Sequence, residues 1–341
     1  WCGFLHQHGA LAAAPVFDAP AQTTAKKAAP LVQEADASRS TEEEAATRSS
    51  RDLDAENGTA DSITIQLNAD GKPADSGEGT HWYYSADSGC WLYNGVFALQ
   101  PSSEPEAVSA LQATLYIIKD AEFNSGTVGK RANNEGTISD GTFQGDVRNY
   151  GTISGGTFEE AVGVYASSRT EAKIEGGTFE KDMTLANDDA PITIKDGLFD
   201  GEVVTKKCDS PLSITGGLFT QAVNANSIDD PTNLQITGGY FVSKPTVPEG
   251  SVSFTSVSDQ SCRAFHVPVN GDWSEKRYSS LYVPRGSSEQ PNTITVKTNT
   301  KLLYYLADGE RFPVLDSDSD SYIYQIPVQN FEKIVLVTEE P

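Results

Sequence analysis

The sequence predicts an all-β solenoid, in which the chain winds through stacked coils and each coil adds short parallel strands to the stack. Three observations predict it. A six-residue unit that starts with Ile and ends with Phe recurs seven times along the chain. The units start 15 to 22 residues apart, and self-similarity at such a period is typical of repeat architectures. Glycine stands at the centre of six units between β-branched and aromatic residues, which disfavours helix and suits strands joined by tight corners.

The repeated units share Ile and Phe five positions apart. They are Ile118–Phe123, Ile138–Phe143, Ile153–Phe158, Ile174–Phe179, Ile194–Phe199, Ile214–Phe219 and Ile236–Phe241. In five units another apolar residue follows Phe by four positions: Val147, Val162, Met183, Val203 and Val223. We therefore expect three interior columns, Ile on Ile, Phe on Phe and Val or Met on Val, with coils about 4.8 Å apart. We expect positive φ at both positions of the Gly-Gly and Asp-Gly corners.

The predicted fold is a single-stranded parallel β-helix of about seven coils, with an aromatic N-terminal cap and a small C-terminal β module. A solenoid end exposes ladder groups and apolar side chains, so both ends need a cover. Four apolar runs near the C-terminus, separated by turn residues, predict the strands of the module, which we expect to be truncated. The predicted regions are a flexible tether at 1–60, the N-terminal cap at 61–112, the solenoid at 113–245, a C-terminal cap or linker at 246–290 and the β module at 291–341.

Composition and charge exclude some classes of protein. The chain of 341 residues has 48 acidic and 25 basic side chains and a net charge of −23, which argues against a nucleic-acid binder because phosphate neutralisation needs a basic face. No run approaches the roughly 18–20 apolar residues of a membrane span. The four cysteines, Cys2, Cys90, Cys208 and Cys262, are widely spaced, so their even number does not by itself establish disulfides.

Two segments resemble a known family. The stretch 134–158, with its Thr-Ile-Ser-Asp-Gly-Thr-Phe and Thr-Ile-Ser-Gly-Gly-Thr-Phe units, resembles the parallel β-helix repeats of exported surface proteins of gut bacteria. The stretch 82–93 is similar to the segment that opens the solenoid in many of them, with Trp91 in place of an aliphatic residue. This resemblance covers about residues 80 to 245. It implies an adhesin-like or carbohydrate-binding protein, secreted or at the cell surface, whose partners are host or bacterial glycans or surface proteins.

An acidic column follows the Phe column in the predicted stack. Glu159, Glu180 and Asp200 each come directly after a repeat Phe, so consecutive coils would place them about 5 Å apart. Carboxylates at that distance raise one another's pKa or recruit a cation, and calcium is the candidate cation. The alternative is a solvated acidic wall that keeps a repetitive protein soluble, and we favour this alternative. No other cofactor is expected.

Four aromatic residues upstream of the solenoid are candidates for glycan contact. Trp82, Tyr84, Trp91 and Tyr93 alternate along two short apolar runs, and aromatic rings stack on sugar rings. The alternative, a buried cap, is the interpretation that we favour.

No constellation of catalytic residues stands out. Asp120 and Asp140 would occupy equivalent corners of neighbouring coils, at the spacing of a retaining glycosidase, but every ladder of a solenoid produces that spacing. A pectate-lyase-like enzyme would need basic residues clustered on one face. Lys119 and Lys195 share a predicted column that is otherwise filled by Glu175 and by Ser and Thr residues, so basic residues are dilute there.

The sequence thus favours an exported, non-catalytic and monomeric β-solenoid for adhesion or glycan contact. Residues 10 to 15, small side chains after an apolar patch, resemble the tail of a secretory signal and support export. Two alternatives stay open: a pectate-lyase-like polysaccharide-degrading enzyme, and a structural spacer that holds the C-terminal module away from the cell.

Overall fold

The computed structural model describes residues 63–66, 82–85, 90–93, 96–101, 113–117, 119, 121–167, 170–286, 292–314, 321–328 and 330–339. Before residue 115 the description covers the backbone alone. The predicted tether at 1–60 lies outside the described residues, as do Cys2, Ile118 and Asp120.

Regular structure in the described residues is β-strand apart from one 3-10 turn, Pro231–Asn233. In chain order the strands are β1 (Ile63–Gln66), β2 (Trp82–Ser85), β3 (Cys90–Tyr93), β4 (Val96–Pro101), β5 (Ala113–Ile117), β6 (Ala121–Ser125), β7 (Thr127–Val128), β8 (Ala132–Asn134), β9 (Thr137–Ile138), β10 (Thr142–Phe143), β11 (Val147–Asn149), β12 (Thr152–Ile153), β13 (Thr157–Phe158), β14 (Val162–Ala166), β15 (Ala172–Ile174), β16 (Thr178–Phe179), β17 (Met183–Asn187), β18 (Ile192–Ile194), β19 (Leu198–Phe199), β20 (Val203–Cys208), β21 (Leu212–Ile214), β22 (Leu218–Phe219), β23 (Val223–Asn224), β24 (Leu234–Ile236), β25 (Tyr240–Phe241), β26 (Phe254–Asp259), β27 (Pro268–Val269), β28 (Asp272–Trp273), β29 (Ser280–Pro284), β30 (Asn292–Lys297), β31 (Leu302–Ala307), β32 (Glu310–Pro313), β33 (Ile323–Val328) and β34 (Lys333–Thr338).

Successive coils add one strand to each of three parallel sheets, which confirms the predicted parallel β-helix. The first sheet runs β1-β6-β9-β12-β15-β18-β21-β24. The solenoid part of the second sheet runs from β7 through β10, β13, β16, β19 and β22 to β25. The third sheet runs β5-β8-β11-β14-β17-β20-β23 within the solenoid. Each coil is therefore a strand, a glycine corner, a second strand, a third strand and a return loop.

The three predicted interior columns are present. Parallel pairing places Ile on Ile in the first sheet, Phe on Phe in the second, and Val or Met on Val in the third. The six rings from Phe143 to Phe241 are each at most 1% exposed, and neighbouring rings stack with centroids 4.4 to 5.0 Å apart. This spacing is the strand spacing of a sheet, so one apolar core runs along the stacked coils.

The first repeat lies five residues later than predicted. Phe123 pairs with Ile138 in the first sheet, and Val128 pairs with Phe143 in the second, so the first unit is 123–128 and not 118–123. The corner explains the difference, because Gly126 has a φ of 111° and the stretch 118–123 contains no glycine. The Phe123 ring still packs edge-on against the Phe143 ring, with centroids 5.3 Å apart. It thus fills space beside the smaller Val128.

The corner glycines differ from the expectation of two positive φ angles. Only the second position is left-handed, as at Gly217, where φ is 95°. At the first position of some corners glycine allows a close approach to the preceding coil, because a Cβ at Gly216 would lie 2.1 Å from the carbonyl oxygen of Lys195. Where Asp replaces the first glycine, as at Asp140, its carboxylate accepts a hydrogen bond from the backbone N–H of Gly141 at 2.7 Å.

The strands before the first full coil extend two of the solenoid sheets. β1 pairs in parallel with β6 and continues the first sheet. β2, β3, β4 and β5 pair antiparallel in sequence, and β5 then pairs in parallel with β8 of the third sheet. The region predicted as an aromatic N-terminal cap therefore continues the third sheet as an antiparallel meander.

The four strands predicted near the C-terminus are present as β30, β31, β33 and β34. Three more strands join them: β26 and β29, which lie in the predicted cap or linker, and β32. The second solenoid sheet continues through β25 into β29, β26, β34, β31 and β32, while β30 and β33 form a separate pair. The predicted regions 246–290 and 291–341 thus share one sheet and one apolar core.

The C-terminal strands pack against the outer face of the second sheet. In the early coils this face carries threonine before each Phe, but the last coils carry Leu198, Leu218 and Tyr240 there. These three side chains belong to the C-terminal core, and Leu218 is fully buried. The Tyr240 hydroxyl donates to the carbonyl oxygen of Thr295 and accepts from its N–H, both at 3.2 Å. Phe254 packs edge-on against Phe241 and covers the end of the Phe column.

Two cysteines are described with their side chains, and both are free thiols. Cys208 is buried in the core and Cys262 is exposed. In the described part of the chain, no helix is both long and apolar enough to cross a membrane.

Candidate functional site

The predicted acidic column is present on the solenoid surface. Glu159, Glu180 and Asp200 follow stacked Phe residues, and each backbone N–H donates to the Phe carbonyl oxygen of the preceding coil at 2.8 to 2.9 Å. The Asp200 carboxylate accepts a hydrogen bond from the Thr220 hydroxyl at 2.8 Å, and Lys276 of the C-terminal region lies 3.9 Å from it. At its C-terminal end the column is therefore partly neutralised by neighbours.

A shallow groove of about 380 Å³ lies along this column. Its acidic lining comes from two successive coils, Glu180 and Asp182 on one, Asp200 and Glu202 on the next. The Asp182 carboxylate accepts a hydrogen bond from the Glu202 N–H at 3.0 Å, so it links two neighbouring coils. Within the described ranges, no three His, Cys, Asp or Glu side chains come close enough together to hold a metal ion. Calcium binding by Glu159, Glu180 and Asp200 therefore stays a prediction.

The column that the lyase alternative requires contains fewer basic residues than predicted. The corrected register places Asn124 in the column of Ser139, where Lys119 was expected, because Ser139 N–H donates to the carbonyl oxygen of Phe123. The Lys195 ammonium donates to the Glu175 carboxylate at 2.6 Å. That hydrogen bond, together with the charge of Glu175, raises the pKa of Lys195 above its ordinary value. A general base needs the opposite change, a lysine that loses its proton easily.

The corner that precedes Asp140 in the stack holds a serine and not the predicted carboxylate. The corner equivalent to Asp140 in the preceding coil belongs to Ser125, two residues after Phe123 in the corrected register. Asp120 itself lies outside the described residues. The Asp140 carboxylate is occupied by the turn hydrogen bond to Gly141.

The four predicted aromatic residues for glycan contact lie on one hairpin. Trp82 stands opposite Tyr93, and Tyr84 stands opposite Trp91, in the antiparallel pair of β2 and β3. Their side chains lie outside what the structure describes, so their role in glycan contact stays a prediction.

An aromatic pair that sequence reasoning missed lies on the outer surface, at the C-terminal ends of strands β11 and β14 of the third sheet. The rings of Tyr150 and Tyr165 stack with centroids 5.4 Å apart and an angle of 28° between their planes. Glycine permits this arrangement, because a side-chain carbon at Gly163 would lie 2.5 Å from the ring and hydroxyl of Tyr165. The Tyr165 ring therefore lies over the backbone of its own strand.

A second groove, of about 230 Å³, adjoins this pair. In the pairing of β14, β17 and β20, Tyr165 is followed by Ala186 on the next coil and by Lys207 on the coil after that. A bulge after Leu185 shifts the pairing, so Lys207 and not Lys206 stands beside Ala186. Both acidic neighbours of Lys207 pair with it: the Asp188 carboxylate accepts a hydrogen bond from the ammonium, and that of Asp209 lies 3.1 Å away.

The repeat itself contains the signal for part of this site. Tyr150 and Tyr165 each come three residues after a column valine, and Ala186 comes three after Met183. The constant spacing of the repeat thus predicts the outward Tyr-Tyr-Ala series on three successive coils. The bulge that brings in Lys207 has no such signal.

Comparison of the chain with protein-family models, with curated proteins and with solved structures gives no match.

Proposed function

We propose that this chain is an exported, non-catalytic β-solenoid that binds glycans in adhesion, secreted or at a cell surface. The observation that carries the proposal is the in-register parallel pairing of the coils, which repeats the same outward positions at the strand spacing of about 4.8 Å. A glycan is also a repeating polymer. A regular outer face offers it several contacts at a constant spacing, and linked weak contacts give a total affinity far above that of one.

The interior supports this role because it makes the outer face rigid. The stacked Phe rings and the Ile and Val columns hold every outward side chain on a fixed ladder. A face that is ordered before binding loses less conformational entropy when it meets a ligand.

Charge indicates which glycans the face would accept. A net charge of −23 repels polyanions such as uronates at low salt. Lys195, the lysine of the column that the lyase alternative requires, is already paired with Glu175. Both features favour neutral glycans over acidic ones and weigh against a polyuronate lyase.

The test is binding of the full chain to an array of neutral and acidic glycans at about 0.15 M salt. We expect binding to neutral glycans, with acidic glycans gaining signal only as added salt screens the protein charge. The same protein after thermal unfolding serves as the control and should not bind.

Two outcomes would contradict the proposal. Absence of binding to every glycan would leave the structural spacer as the better interpretation. Release of unsaturated, ultraviolet-absorbing ends from polygalacturonate on incubation with the protein would show a lyase.

A further inference from the structure

We infer that the groove between Tyr165 and Lys207, over Ala186, is a subsite that binds one uncharged pyranose ring of a glycan. This inference rests on the proposed glycan binding and gives it a specific place. The site lies on the outer side of the third sheet and is formed by three successive coils.

The first wall of the subsite is an aromatic face. Tyr150 packs against one face of the Tyr165 ring. In an in-register ladder the opposite face is directed along the solenoid axis toward the next coil, where Ala186 presents only a methyl group. The axial C–H groups of a pyranose are apolar and pack on such a ring face, as other apolar groups do.

The strand spacing leaves room for a single saturated ring between the two walls. Tyr165 and Lys207 lie on strands separated by two pairings, which is about 9.6 Å. A ring held between two side chains needs about 7–8 Å, that is, two carbon contacts of about 3.5–4.0 Å. The methylene stem of Lys207 provides the second wall, because the side chain is held in place by its pairs with Asp188 and Asp209.

The rim offers the hydrogen-bonding groups that sugar hydroxyls need. The Asp188 carboxylate accepts from a hydroxyl, the Lys207 ammonium donates to one, and the Ser167 hydroxyl does either. Hydrogen bonds to charged groups are about twice as strong as those between neutral groups. These groups stand around the apolar floor, which is the arrangement of small-molecule sites in general.

The charge of the rim selects against acidic sugars. Asp188, Asp209 and Lys207 together carry one net negative charge, and the hydrogen bonds and charges of both carboxylates raise the pKa of Lys207 above its ordinary value. The lysine therefore stays protonated and paired, and a sugar carboxylate would meet two carboxylates for one ammonium. A neutral hexose or N-acetylhexosamine meets no such repulsion.

The test measures, by calorimetry with the full chain, the affinity for neutral tetrasaccharides of glucose, mannose, galactose and N-acetylglucosamine. Ala186→Leu fills the groove with an outward-facing side chain and should weaken binding at least tenfold. Tyr165→Ala should weaken it by a similar factor, whereas Tyr165→Phe, which keeps the ring face, should stay within threefold of the unmodified protein. Ala161→Leu, the same change at an exposed position outside the groove, is the matched control and should leave the affinity unchanged.

Equal thermal unfolding temperatures for the four variants and the unmodified protein show that the fold is intact. If the unmodified protein binds these sugars and Ala186→Leu binds them equally well, the subsite is wrong while glycan binding stands. If the unmodified protein binds none of the tetrasaccharides but binds other glycans of the array, the subsite is likewise overturned. If it binds no glycan at all, the proposed function and the subsite are both overturned.

Discussion

Cys208 is an ionisable side chain in the dry interior of the solenoid. The residue is 0% exposed, and its thiol donates a hydrogen bond to the carbonyl oxygen of Leu185 at 3.7 Å. Burial disfavours the charged thiolate and raises the pKa of Cys208 to about 11, from an ordinary value of 9.0. The thiol of the folded chain therefore keeps its proton up to about pH 11.

This raised pKa predicts a loss of stability in alkali. Above pH 9.0 the unfolded chain releases the Cys208 proton while the folded chain keeps it up to about pH 11, so the free energy of unfolding falls as the pH rises through this window. The expected loss from this group is about 1 kcal/mol at about pH 10. Urea unfolding at about pH 8 and about pH 10, under reducing conditions, measures it. The Cys208→Ala variant lacks this group, so an equal pH dependence in both proteins would contradict the prediction.

At the scale of one element, each coil contributes one ring to the Phe column, and that ring packs against the rings of the neighbouring coils. Every inner ring packs between the rings of the coils before and after it, as Phe179 does between Phe158 and Phe199, at centroid distances of 4.8 and 4.9 Å. Removal of one ring therefore leaves a cavity that faces two neighbours at once. Backbone ladders on both sides hold the coils at their spacing and limit how far the gap can close.

We expect Phe179→Ala to reduce the free energy of unfolding by about 3–5 kcal/mol, the range for loss of a buried aromatic ring. Thr178→Ala is the matched control, because Thr178 is the adjacent residue of the same strand and points outward. Its effect should stay within about 0.5 kcal/mol. Chemical denaturation followed by circular dichroism compares the two, and similar losses for both variants would show that the Phe column does not carry the stability of the coil.

At the scale of the whole molecule, the outer face of the second sheet changes in composition along the solenoid. The outer face of the second sheet carries half-buried threonines in the early coils and apolar side chains in the later ones. The C-terminal strands cover the later part and join it through β25 and β29. Docking and continuation of the sheet together make the C-terminal module part of the same body as the last coils.

Leu218→Asp should weaken this docking, because it buries a carboxylate among Val257, Leu281 and the other apolar side chains of the C-terminal core. We expect a loss of at least about 2 kcal/mol. Thr157→Asp places a carboxylate at the same position of an earlier coil, where the side chain is half-buried and not fully buried, and should cost less than about 0.5 kcal/mol. Limited proteolysis should cut Leu218→Asp after residue 245 faster than the control. Equal cleavage and equal stability would contradict the docking described here.

Much of the candidate site was within reach of the sequence. The acidic column was predicted and is present, because a repeat with constant spacing determines which outward residues are neighbours. The same constant spacing makes Tyr150 and Tyr165 neighbours on successive coils. The lysine column was predicted wrongly at Lys119, since that prediction depended on where the first repeat begins.

By itself, the sequence determined the solenoid, its three interior columns and the glycine corners, because these depend on residue types that recur at one period. Only the tertiary structure decided three further features. Phe123 could end a repeat unit at 118–123 or begin one at 123–128, and its ladder pairing with Ile138 selects the second. The bulge after Leu185 brings Lys207 to the groove, and contact with the C-terminal core decides which outer face is buried. Each of these features depends on backbone pairing or packing between segments distant in the chain, for which a local pattern carries no information.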